Sequence, residues 1–108
     1  MDKITQYRQV IQQLLETIAL DSPYSQLVFD PLRDRYLLIH SSWDDNYRVY
    51  GCAIHLDLID EQIWIQHNAT EIELISELKQ LGVAPEDIIL GFRSPQFRAI
   101  LAAQYKNH

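Results

Sequence analysis

The sequence predicts an α+β protein, in which a four-stranded antiparallel meander sheet packs with an N-terminal helix and C-terminal helices. Three observations predict this class. Apolar residues recur with a helical period from about residue 3 to 19, with a period of two from 25 to 66, and with a helical period again after residue 70. Because the chain has 108 residues, these regions fit a single domain over residues 1–108.

The first helix combines one apolar stripe with one polar face. Asp2 can cap its first turn, and the segment 21–23 ends it, because Pro23 cannot continue a helix and restricts the residue before it. We expect the stripe to pack on the sheet. It consists of Ile4, Tyr7, Val10, Ile11, Leu14, Leu15 and Ile18.

The next region is rich in β-branched and aromatic residues with alternating polarity. Segments 26–29 and 36–40 flank a turn-rich loop at 30–34, which predicts a hairpin, and two further strands are predicted at 47–59 and 63–66. Neighbouring strands usually pair, so a meander of four strands is the simplest topology.

A two-residue turn at Asp60 and Glu61 determines the register of strands three and four. It places Ile59 opposite Gln62 and His55 opposite Gln66. Side-chain alternation then predicts a helix-facing face and a second face, which points away from the first helix. The helix-facing side comprises Cys52, Ile54, Leu56, Leu58, Ile63 and Ile65, and the second face comprises Ala53, His55, Asp57, Ile59, Trp64 and Gln66. In this arrangement Cys52 is a small buried hydrophobe and not a nucleophile.

The last third of the chain is predicted to be helical. Segment 70–73 has the pattern of a capping box, which predicts a helix from Thr70 to a left-handed Gly82. Pro85 suits the first turn of a short element over 88–90, and Ser94 followed by proline predicts the N-cap of a last helix. The expected buried side of that helix comprises Phe97, Ile100, Leu101 and Tyr105.

Charge and composition narrow the class of partner. Fifteen acidic and nine basic residues give a net charge of −6, which disfavours broad phosphate binding. Residues 88–108 contain three cations and no acid; these cations are either scattered on a solvated helix or face an anion or an acidic partner. The three are Arg93, Arg98 and Lys106.

Targeting signals and cysteine usage indicate a compartment. The start lacks the pattern of a secretory signal, and no stretch approaches the length of a membrane helix. The single cysteine permits no internal disulfide. We therefore expect a cytoplasmic protein without membrane association.

One constellation has catalytic character. His55 and Asp57 are two apart on a strand and therefore share a face, with Gln66 and Glu71 as possible neighbours. The pair is open to three interpretations: a metal or acid–base site, a polar network, or an interface that also uses Trp64. The usual nucleophile, phosphate-loop, dinucleotide and zinc-protease motifs are absent, so we expect no enzyme activity and no cofactor.

A series of short segments along nearly the whole chain forms one recognisable pattern: 7–8, 11–12, 29–30, 33–34, 48–57, 63–66, 70–71, 81–83 and 88–92. These segments resemble the XisI family, the fdxN element excision controlling factors of cyanobacteria. The likeness includes matches in the first helix and first hairpin. Two positions depart from the family pattern: Asp60-Glu61 stands where an Asp-Gly turn is usual, and Arg93 stands where a histidine is frequent.

The resemblance implies a small accessory protein in DNA rearrangement. It implies that the chain acts with an XisH-like partner, which resembles nucleases, in support of a site-specific recombinase during heterocyst differentiation. It does not imply catalysis by this chain. We expect a homodimer through the second face, or a heteromer if the XisH-like protein competes for it. The alternatives are a metal-dependent hydrolase or nuclease component using His55 and Asp57, and direct DNA binding through residues 93–106.

Overall fold

The structure, a computed structural model, describes residues 2–106, without the side chains at 101, 102 and 104–106. It has an α+β fold in which helices pack with a five-stranded mixed sheet. In chain order the elements are α1 (Lys3–Leu20), β1 (Ser25–Asp30), β2 (Arg35–Asp44), β3 (Tyr47–Ile59), β4 (Gln62–Asn68), α2 (Leu74–Gln80), a 3-10 turn (Pro85–Asp87), β5 (Ile88–Leu90) and α3 (Pro95–Lys106). No helix within residues 2–106 is long and apolar enough to cross a membrane.

The sheet has the strand order β1-β2-β3-β4-β5. Its first four strands form the predicted antiparallel meander. The prediction of a purely antiparallel, four-stranded sheet was wrong, because β5 pairs in parallel with β4, with Ile63 beside Ile88. A parallel neighbour requires a crossover connection, which α2 and the 3-10 turn supply. Three apolar residues are too few to reveal a strand by periodicity.

The core lies between α1 and one face of the sheet. All the buried residues of α1 belong to the predicted apolar stripe, and Asp2 caps the helix by accepting a hydrogen bond from the Thr5 backbone N–H at 2.7 Å. α2 closes one side of the core with Leu74 and Leu78. The buried hydrophobic residues of the sheet are Tyr36, Leu38, Ile54, Leu56, Leu58, Ile63, Ile65 and Ile88.

A β-bulge in β3 changes the face on which Cys52 lies. Leu38 pairs with Ile54 and Ile39 pairs with Cys52, so Ala53 is the extra residue. Ala53 packs against the core, while Cys52 shares the second face with its partner Ile39. The predicted faces of Cys52 and Ala53 were therefore wrong, because one inserted residue reverses the alternation beyond it.

The turn at Asp60 and Glu61 has two residues, as predicted, with φ of 52° and 64°. Both values are typical of the type I′ turn that suits the twist of a hairpin. The predicted register holds from Ile59 to Leu56. It fails at His55, which pairs with His67, because Gln66 forms a second bulge.

The predicted capping box at Thr70 was wrong, because α2 begins only at Leu74. The Thr70 hydroxyl instead donates to Asn68 Oδ1 at 2.6 Å and accepts from the Ile72 backbone N–H at 3.2 Å. Hydroxyls of this kind stabilise local turns in competition with a helix. The predicted C-terminal end is confirmed, since Gly82 has a φ of 97°.

Helix α3 begins as predicted, with Ser94 Oγ accepting from the Phe97 backbone N–H at 3.2 Å. Its expected buried side was wrong for Phe97 and Ile100, whose exposed fractions are 42% and 58%. Leu101 and Tyr105 were also predicted to be buried, and their side chains are outside the part of the chain that the structure describes. Periodicity identifies an apolar stripe but not the surface that covers it.

Candidate protein-interaction face of the sheet

The second face of the sheet brings the candidate residues of β3 and β4 together. Asp57 lies directly opposite Trp64 in the β3–β4 ladder, and residues that face each other in a ladder share one side. Leu37 of β2 pairs with His55, which places this aliphatic residue beside the imidazole on the same face. The result is a polar cluster bordered by apolar side chains.

Asp57 is the centre of the polar cluster. Its Oδ1 lies 2.8 Å from His55 Nε2, and its Oδ2 accepts a hydrogen bond from Gln66 Nε2 at 3.1 Å. Asp57 is buried, whereas His55 and Gln66 are half-buried. Both carboxylate oxygens therefore have a partner within the face, as a buried carboxylate requires.

Trp64 lies next to this cluster and is capped by α3. The guanidinium of Arg98 stacks over the indole at 5.0 Å from the ring centroid, a cation–π contact. The Trp64 indole N–H is buried and has no hydrogen-bond partner among the described residues. Gly91 allows the chain after β5 to approach closely, because a Cβ at this position would collide with the Gln66 side chain.

The other predicted contact residues lie elsewhere. Glu71 is exposed in the loop before α2, and no hydrogen bond joins it to the described part of the cluster. Arg93 stacks over the rings of Phe92 and Phe97 at 5.1 and 5.2 Å. The side chain of Lys106 is not among those that the structure describes. Two of the three cations thus rest on aromatic rings, and the proposed anion contact stays a prediction.

The bulge places Cys52 on the same face as His55 and Asp57, which raises the question of a nucleophile. The Cys52 thiol donates to the backbone carbonyl of Ile54 at 3.3 Å, and burial raises the pKa of this thiol. Reactive cysteines instead have a lowered pKa beside a cation or an imidazole. Within residues 2–106 no group of three or more His, Cys, Asp or Glu side chains is placed to hold a metal ion. Among these residues nothing supports the alternative of a metal-dependent hydrolase.

Sequence reasoning missed the part of the second face that β1 and β2 contribute. Val28 pairs with Leu37, and Ile39 pairs with Cys52, which extends the apolar border across the sheet. Arg35 lies opposite Asp57 and adds a cation to this side. The alternation in segments 26–29 and 36–40 was the signal that could have revealed these residues.

Comparisons with known proteins agree with this fold. No curated protein matches the chain. An XisI-like protein from Anabaena variabilis is 33% identical, with a TM-score of 0.86, over 92% of this chain and 95% of that one. The fdxN element excision controlling factor XisI from Anabaena variabilis is 32% identical, with a TM-score of 0.76, over the same 92% and 95%. The family model described as XisI protein matches residues 1–103. The chain therefore belongs to the XisI family, as its short segments predict.

Proposed function

We propose that this chain is a non-enzymatic regulatory protein of the cytoplasm that supports the excision of a DNA element through contacts with a partner protein. The support for excision control is the likeness to a protein named as an fdxN element excision controlling factor, which extends over 92% of this chain. The support for a non-catalytic role comes from the second face.

The observation that carries the proposal is that both oxygens of the Asp57 carboxylate are already bound, by His55 and Gln66. These hydrogen bonds use one acceptor site on each oxygen and fix the side chain within the face. A carboxylate held in this way by neighbouring side chains builds a rigid polar centre within an otherwise apolar surface. This composition suits recognition of another protein.

The face also has the residue types that dominate binding energy in interfaces. Trp64 with its stacked Arg98 provides an aromatic and a guanidinium, the two groups most enriched at interface hot spots. Ile59 and Val28 are exposed by 40% and 49% and add apolar area at the border. We propose an XisH-like protein as the partner of this face, as the family resemblance implies.

The test is a pull-down of the purified, tagged chain with the XisH-like protein. The double variant Trp64→Ala and Asp57→Ala, and the single variant Ile59→Asp, should each weaken capture at least tenfold while the chain still melts cooperatively. Leu32→Asp is the matched control, because Leu32 is 84% exposed in the β1–β2 loop and lies away from the face. Equal capture by both variants and the control would contradict the proposal.

Self-association through the same face is the competing arrangement. Sedimentation of the purified chain and of the Ile59→Asp variant separates the two cases. If the unmodified chain forms a dimer and the Ile59→Asp variant is monomeric, a second copy occupies the face. If the dimer survives this substitution, the face is free for the partner.

A further inference from the structure

The β2–β3 hairpin continues beyond the rest of the sheet. Along β2, pairing with β1 stops at His40. Along β3, pairing with β4 stops at Ile54. Apart from the Ser41 backbone N–H, which donates to the Tyr24 carbonyl at 2.9 Å, residues 41–44 and 47–51 pair only with each other. We call this two-stranded ribbon the arm. On the side of β4, the backbone of residues 47–52 has no strand partner among the described residues.

The arm carries large exposed side chains. Trp43, Tyr47 and Tyr50 are exposed by 65%, 79% and 66%. The guanidinium of Arg48 lies 5.2 Å from the Trp43 ring and 5.6 Å from the Tyr50 ring, and it donates to Ser41 Oγ at 2.6 Å. An isolated two-stranded ribbon is only marginally stable in water, and an open edge is a template for pairing with another strand.

We propose that the free edge of β3, residues 47–52, pairs antiparallel with the same edge of a second copy of this chain. An antiparallel ladder is self-complementary across a two-fold axis, so one edge can bind its own copy without any other element. The pairing converts two marginal ribbons into one four-stranded sheet.

Side-chain complementarity selects the register. A two-fold axis at Arg48 would set two guanidinium groups directly opposite each other, which is unfavourable. An axis at Val49 instead places each Arg48 opposite the second copy's Tyr50, which gives two cation–π pairs between the copies. Val49 then faces itself, and Tyr47 faces Gly51 of the other copy. We therefore place the axis at Val49.

Charge favours this occupant over a nucleic acid. The arm and the turn at its tip carry Arg48 together with Asp44 and Asp45, so this region has no excess of positive charge with which to bind phosphates. The proposal is independent of the partner assigned to the second face, because the arm's edge lies beyond the last β3–β4 pair at Ile54.

The test uses a single cysteine as a probe of the register. In a Cys52→Ser background, Val49→Cys should form a disulfide-linked dimer on mild oxidation, since opposite residues lie about 4.5–5.5 Å apart. Tyr47→Cys is the matched control: this exposed position lies four residues along the strand from its own copy, about 13 Å away, and should not cross-link.

Sedimentation of the purified full chain at about 100 µM provides the second readout. We expect twice the mass of one chain. We expect Val49→Lys to give a monomer that still unfolds cooperatively, since it sets two ammonium groups face to face. A monomeric unmodified chain would overturn the proposal. A dimer that resists Val49→Lys, or one that cross-links at residue 47 and not at 49, would overturn it as well.

Discussion

The Arg8 guanidinium holds both oxygens of the Asp34 carboxylate, with Nε 2.6 Å from Oδ1 and Nη2 3.0 Å from Oδ2. The hydroxyl of Tyr36 donates to the same Oδ1 at 2.9 Å. Asp34 ends the β1–β2 loop at a positive φ of 55°, so this fork joins α1 to the first hairpin at a constrained position.

This contact predicts part of the acid sensitivity of the fold. The hydrogen bonds from Arg8, with a smaller contribution from Tyr36, lower the pKa of Asp34 below its usual 3.8. The unfolded chain then binds a proton more readily than the folded one, so the stabilisation is present above about pH 4 and is lost as the pH falls through the folded pKa. Urea titrations at pH 7 and pH 3 measure this. The Asp34→Asn variant should be less stable than the unmodified chain at pH 7, and its free energy of unfolding should fall by less between pH 7 and pH 3. Parallel pH curves for the two proteins would contradict this.

The core and the second face should respond differently to truncation. Leu56 is fully buried, so Leu56→Ala should lower the free energy of unfolding by about 2–5 kcal/mol through the cavity it leaves. His55→Ala, one residue away on the other face, removes a partly exposed partner of the Asp57 carboxylate and should lower it by about 1–2 kcal/mol. Chemical denaturation measures both values, and equal losses would refute the assignment of the faces.

The turn at Asp60 and Glu61 stores removable strain. Glu61 has a φ of 64°, a region that costs a residue with a Cβ about 1–2 kcal/mol. Glu61→Gly removes this strain but adds the larger conformational entropy that glycine loses on folding. The net effect should be a rise of about 0.5–1 kcal/mol in the free energy of unfolding. Glu61→Ala keeps the Cβ and should leave stability within about 0.5 kcal/mol. A destabilised glycine variant would show that the turn is not type I′.

Duplex DNA should bind only weakly. The chain has a net charge of −6, and Arg93 and Arg98 are engaged with aromatic rings. Few phosphates can be neutralised, so the purified chain should bind no tighter than about 10⁻⁴–10⁻⁶ M near physiological salt. Fluorescence anisotropy with a labelled duplex measures this, and nanomolar binding would contradict a role limited to protein contacts.

Local sequence patterns correctly predicted the features that depend on only a few neighbouring residues. The stripe of α1, the hairpin turn at Asp60 and the glycine end of α2 each depend on neighbours in sequence. The shared face of His55 and Asp57 follows equally from their spacing on one strand. The same short segments identified the family, which the match over residues 1–103 confirms.

Tertiary structure decided the features that depend on a distant partner. The bulges at Ala53 and Gln66 arise from pairing with β2 and β3, and they moved Cys52 to the second face and gave His55 a different neighbour. The parallel pairing of β5 needed a crossover that periodicity does not encode. The stacking of Arg98 on Trp64 likewise required α3 to return to the sheet. Alternation and periodicity are properties of one segment, whereas register, bulges and strand order arise only when two segments meet.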